Sequence, residues 1–83
     1  MNCQDYIGSD PKICHGQVCF KVEGKLARIM VYLVLEMLEA GETSEEIITK
    51  AYPSLTREHI QAALHYAAEV IKTGEFVPFA EVS

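Results

Sequence analysis

The side chains best suited to hold a metal or attack a substrate in this 83-residue chain gather near its start, at Cys3, Cys14, His15 and Cys19. Zinc sites legible in a sequence pair their ligands as C-x2-C, twice, so that each pair grips the ion from one turn. Here Cys14-His15 and Cys19 read C-H-x3-C, and no second pair follows. A nucleophilic thiol needs a neighbouring base and a depressed pKa. His15 adjoins Cys14, but nothing supplies an orienting acid or an oxyanion site. His59 and His65 stand six apart, which does not stack them on one helical face, so they form no HExxH-type site. There is no Gly-rich phosphate loop, and so short a chain leaves little room for a deep pocket. The expectation is a protein that is not an enzyme and has no cofactor or metal, with the cysteines in packing or loop roles.

The second chemistry on offer is recognition of a nucleic acid. Arg57 and Gln61 are the residue types that read guanine and adenine edges, and the start of a recognition helix is where such contacts are made. His65 lies on the same outward side. Lys21, Lys25 and Arg28, opposed only by Glu23, form the one locally positive stretch and are the candidates for phosphate. Against this stands a net charge of −5. Counterion release at Lys and Arg supplies most non-specific affinity for a duplex, and residues 41–83 hold three basic groups against seven acidic ones. Glu58 and Glu69 offset Arg57 and Lys72, which leaves the helix face neutral.

These residues need elements to position them. Residues 1–17, with Gly8, Ser9, Asp10-Pro11 and Gly16, have loop chemistry. Residues 18–22 read as a strand, Glu23-Gly24 as a tight turn and residues 25–30 as the return strand of a short hairpin. In residues 31–40, Val31, Val34, Leu35 and Leu38 fall at i, i+3, i+4 and i+7, the signature of a helix. Met30, Leu33 and Met37 fall outside that stripe. Such an apolar excess in a small chain predicts a homodimer interface. Gly41 closes the helix.

Thr43-Ser44-Glu45-Glu46 has the spacing of a capping box. It opens a second helix that buries Ile47, Ile48 and Ala51 and stops before Pro53. Thr56 caps a third helix, with Leu55 and Ile60 spaced as a staple. Ile60, Ala63, Leu64, Ala67 and Ile71 form its predicted inward stripe, and Gly74 ends it. Beyond lies a short apolar tail carrying Phe76, Phe79 and Val82. The longest apolar run, at residues 30–35, is far too short to span a membrane. Nothing at the start resembles a secretory signal. With an odd number of cysteines, these features predict a reduced, cytoplasmic setting.

The string Asp10-Pro11-Lys12-Ile13-Cys14-His15-Gly16 resembles the opening of the family labelled domain of unknown function 433, which reads D-P-x-I-x-x-G. The likeness continues through residues 31–41, through Ser44-Glu45-Glu46-Ile47-Ile48, through Tyr52-Pro53-Ser54-Leu55-Thr56 and through residues 60–69, spanning roughly residues 9–70. The family's G-T-R-I-P-V falls on Leu26-Ala27-Arg28-Ile29-Met30-Val31, preceded by an apparent four-residue insertion around residues 22–25. Arg28 and Ile29 are kept, and the Gly, Thr and Pro are lost. The resemblance implies a homeodomain-like helix-turn-helix behind a β-arm, usually dimeric. It also implies the antitoxin half of a type II toxin–antitoxin pair, binding a PIN-like ribonuclease toxin and its own promoter DNA.

Together these readings predict one mostly α domain, a short N-terminal β-hairpin followed by a three-helix, homeodomain-like helix-turn-helix bundle. Residues 1–30 form the loop and hairpin arm, 31–74 the helical core and 75–83 the tail. The expected function is an antitoxin or small DNA-binding regulator acting as a homodimer. Lys21, Lys25, Arg28, Arg57, Gln61 and His65 would face DNA, Met30, Leu33 and Met37 the second copy, and Phe76, Phe79 and Val82 a toxin. The rival from another class is a protein-interaction module that does not bind DNA, which the acidic balance favours.

Overall fold

Glu23 and Gly24 both take positive φ, 54° and 80°, as in a type I′ turn, whose twist matches that of the flanking strands. The hairpin they close is the centre of the fold in the computed structural model, which describes residues 3–13 and 16–73. Its strands are β2 (Cys19–Val22) and β3 (Lys25–Met30). A third strand, β1 (Ile7–Gly8), pairs antiparallel with β2, Ile7 opposite Phe20 and Gly8 opposite Cys19. The sheet order is therefore β1-β2-β3. The Lys21 N–H donates to the Tyr6 carbonyl at 2.6 Å and fixes this register.

Between β2 and β3 the ladder slips. Cys19 faces Met30 and Lys21 faces Leu26, so β3 holds the extra residues of a bulge, with Arg28 at φ 61° among them. Helix α1 (Val31–Glu39) follows β3 without a loop. No side chain caps its start, but the Val31 N–H donates to the Val18 carbonyl at 3.0 Å, so the sheet meets an otherwise orphaned donor. At the other end Gly41, at φ 99°, donates to Leu38 O and Glu42 N–H donates to Met37 O. That is the double closure of a Schellman motif.

The capping box at Thr43 and Glu46 forms in both directions, at 3.1 and 2.8 Å. It starts α2 (Ser44–Glu46), which continues as one wide turn over Ile47–Ala51. There the Tyr52 N–H reaches back five residues to Ile47 O, and Tyr52 leaves the helical region before Pro53. Helix α3 (Arg57–Thr73) is the longest element. The core gathers Ile7 and Phe20 from the sheet, Val31 and Val34 from α1, then Ile47, Leu55, Ile60 and Ala63. Fully burying a side chain such as Phe20 contributes about 2 kcal/mol, and the sheet therefore belongs to the core.

This corrects the expected architecture. The N-terminal stretch is not all loop and the hairpin is not an arm on a three-helix bundle; a three-stranded antiparallel sheet precedes three helices and shares their core. Two residues of β1 show no alternation, so the pairing of Ile7 with Phe20, thirteen positions away, is set by burial rather than by local pattern. The inward stripe of α3 is also turned from its expected position. His59, Ile60, Ala62 and Ala63 are buried, while Leu64 and Ile71 are 49% and 72% exposed.

Candidate functional site

At the start of α3 the sequence Thr56-Arg57-Glu58-His59 folds as a capping box in which histidine takes the place usually held by glutamate. The Thr56 backbone N–H donates to His59 Nδ1 at 3.0 Å, and the Thr56 side chain faces the His59 N–H at 3.4 Å. Because Nδ1 accepts, the network assigns the ring proton to Nε2, which donates to the Lys21 carbonyl on β2 at 2.7 Å. Tyr6 and Phe20 meet the ring edge-on, with centroids 5.1 and 5.9 Å away. Both nitrogens of His59 are thus engaged, and the side chain is a strut joining α3 to the sheet. The Thr-x-x-His spacing was the signal for it; read only against metal-site spacings, it passes unseen.

The residues expected to face DNA fall into two groups. Arg57, Gln61 and His65 are all exposed on α3. The Arg57 guanidinium is held by the Glu45 carboxylate of α2, with Nε donating at 3.1 Å and Nη2 making a second contact to the same oxygen. That pairing raises the Arg57 pKa further, the hydrogen bond to Glu45 being the largest cause. Arg57 and Gln61 line a small polar hollow of about 300 Å³ with Thr43, Ser44 and Glu45. An anion entering it would meet a guanidinium already neutralised. On the sheet, Lys25 and Arg28 are exposed, whereas the Lys21 ammonium donates to the Gln4 carbonyl at 2.9 Å.

Met30, Leu33 and Met37 are half-buried, and Met37 packs against the core. Among the described residues the large apolar side chains left exposed are instead Tyr32, Leu64, Val70 and Ile71. Three of these line a groove of about 340 Å³ between α1 and the last turns of α3. Its floor and walls are Val18, Val31, Tyr32, Leu35, Tyr66, Ala67, Val70 and Ile71, with Gln17 at one rim. Val18 and Tyr66 also line a neighbouring hollow of about 310 Å³ beside Ile7, Gly8 and Gln4, so the two share a wall. Tyr66 and Val70 are one helical turn apart, as are Ala67 and Ile71, and that double spacing is the signal in the sequence for this face.

Cys19 is fully buried in β2, with its thiol donating to the Gln17 carbonyl at 3.5 Å. Cys14 and His15 lie outside the described residues, as do Phe76, Phe79 and Val82. Among the described residues no three His, Cys, Asp or Glu side chains are grouped to hold a metal ion, and no helix is long and apolar enough to cross a membrane. No curated protein and no solved structure gave a match to the chain. The model of one family, described as a protein of unknown function (DUF433), matches residues 7–67. Spanning β1 through the middle of α3, that match covers well over half of the chain, which therefore belongs to the DUF433 family.

Proposed function

We propose that this chain is a small protein-binding regulator, of the antitoxin kind that its resemblance implies, acting in the cytoplasm and holding a partner protein through its helical face. The observation that carries this reading is the open apolar groove between α1 and α3, with Ile71 72% exposed on its lip. Exposed apolar surface gathered in one concave place is characteristic of protein contact sites. A PIN-like ribonuclease is the partner this reading expects. A second reading, a homodimeric promoter-binding regulator, is favoured by Lys25 and Arg28, which stand exposed on β3.

The two readings respond differently to salt, since phosphate contacts weaken steeply as counterions are added. Affinity capture with the full chain from its host, at physiological and at high salt, tests them. Protein-binding predicts a partner protein retained in stoichiometric amount at both, with Arg57→Ala as effective as the parent. Recovery of promoter DNA without a partner protein, lost at high salt and with Arg57→Ala, overturns the first reading in favour of the second.

A further inference from the structure

The groove has an apolar floor and an acidic bank. Along α1, Tyr32, Glu36 and Glu39 follow at i, i+4 and i+7, so the two carboxylates extend the stripe that begins at the groove wall. Both are exposed, and among the described residues neither is in an ion pair. The nine residues of α1 contain no Lys or Arg. On the opposite bank Glu69 pairs with Lys72 at 3.6 Å, so the unbalanced charge lies on the α1 side.

Building on the protein-binding reading, we propose that the groove takes an amphipathic helix of another protein, its apolar stripe flanked by Lys and Arg where it meets α1. Two packed helices leave a furrow whose ridges fit the side chains of a third, and helix-in-groove docking reads apolar anchors at i, i+3, i+4 and i+7. The groove volume, about 340 Å³, lies at the small end of the roughly 300–1,000 Å³ of ligand sites, enough for a few anchoring side chains but not for a bulky cofactor. Charge selects among apolar helices. A basic rim is steered toward a chain of net charge −5 and meets Glu36 and Glu39, whereas an acidic rim is repelled there.

The probes are two labelled synthetic peptides of roughly 18 residues, long enough to form helix. They share one leucine stripe; the remaining positions are lysine in one and glutamate in the other. Fluorescence anisotropy with the full chain should show the lysine peptide binding at least about tenfold more tightly. Glu36→Lys combined with Glu39→Lys should reverse that order. Ile71→Asp, at a site too exposed to disturb folding, should weaken both peptides with the melting temperature unchanged.

Equal affinities remove the charge selection, and lysine-peptide binding indifferent to Ile71→Asp reduces the effect to attraction between opposite charges; either result overturns the proposal. Self-association of the chain abolished by Ile71→Asp would give the groove to a second copy. A gain in peptide affinity on Phe76→Ser with Phe79→Ser would give it to the chain's own C-terminal segment. Either result overturns the proposal. A host partner that stays bound to the Ile71→Asp variant overturns the groove assignment and leaves the protein-binding reading standing; capture of DNA without a partner overturns that reading itself.

Discussion

Replacing His59 with alanine removes three contacts at once, and each has a magnitude. Loss of the back-bond to the Thr56 N–H at 3.0 Å undoes half of a capping box, a change of about 1 kcal/mol. Loss of the Nε2–H donor leaves the Lys21 carbonyl, accepting at 2.7 Å, short of a partner in a part-buried place, about another 1 kcal/mol. The edge-on packing against Tyr6 and Phe20 adds about 1 kcal/mol. The sum is roughly 3 kcal/mol, a large share of the roughly 5–15 kcal/mol that holds a domain together. For a chain of this size it lowers the melting temperature by roughly 12–24 °C.

Urea unfolding followed by far-ultraviolet circular dichroism measures the change, and His59→Gln separates its parts. A glutamine amide can reach back to the Thr56 N–H as in an ordinary capping box, but it lacks the ring and the span to β2. It should recover about 1 of the 3 kcal/mol. A cost below about 1 kcal/mol for His59→Ala, or a glutamine variant no better than alanine, would refute the strut argument.

Thr43→Ala should cost about 1 kcal/mol in urea unfolding, because the Glu46 N–H loses its acceptor. Glu46 is held below the usual carboxylate range, chiefly by the hydrogen bond from the Thr43 backbone N–H. Since its folded pKa is the lower one, its contribution is present above about pH 4.3 and is lost as pH falls through the folded value. Melting curves between about pH 6 and 3 should therefore fall less steeply for Glu46→Gln than for the parent. At Arg28, held at φ 61°, glycine should be about 1 kcal/mol more stable than alanine, because only glycine adopts that backbone without strain; chemical denaturation of the two variants compares them directly.

What the sequence discloses here divides by distance along the chain. The Glu23-Gly24 turn, the closure at Gly41 and the Thr43–Glu46 box each complete themselves within a few residues, so their chemistry is visible in a short string. The pairing of Ile7 with Phe20 and the bond from His59 to Lys21, 38 positions apart, are decided by what the rest of the chain leaves to be covered. Because His59 is drawn inward to the sheet, α3 is rolled so that Ile71 faces out. A periodicity argument that treats histidine as polar sets the stripe on Ile71 instead. The candidate site shows the same division. Exposure of Arg57 and Gln61 was legible from charge and helix position, but the grip of Glu45 on Arg57 depends on how α2 lies against α3.

The bulge in β3 has a consequence for how the molecule behaves in a crowded solution. As one of the two edge strands of the sheet, β3 would present a row of unpaired amides and carbonyls along which another chain could stack. The slip in register and the left-handed turn at Arg28 interrupt that row midway, and the two cations at Lys25 and Arg28 would meet their own kind across any such junction. The bulge and the charge at Arg28 thus guard against fibril-like stacking. A glycine there keeps the bulge and relieves its strain but removes one of the two cations, so that chain should resist urea better and clear from concentrated solution sooner.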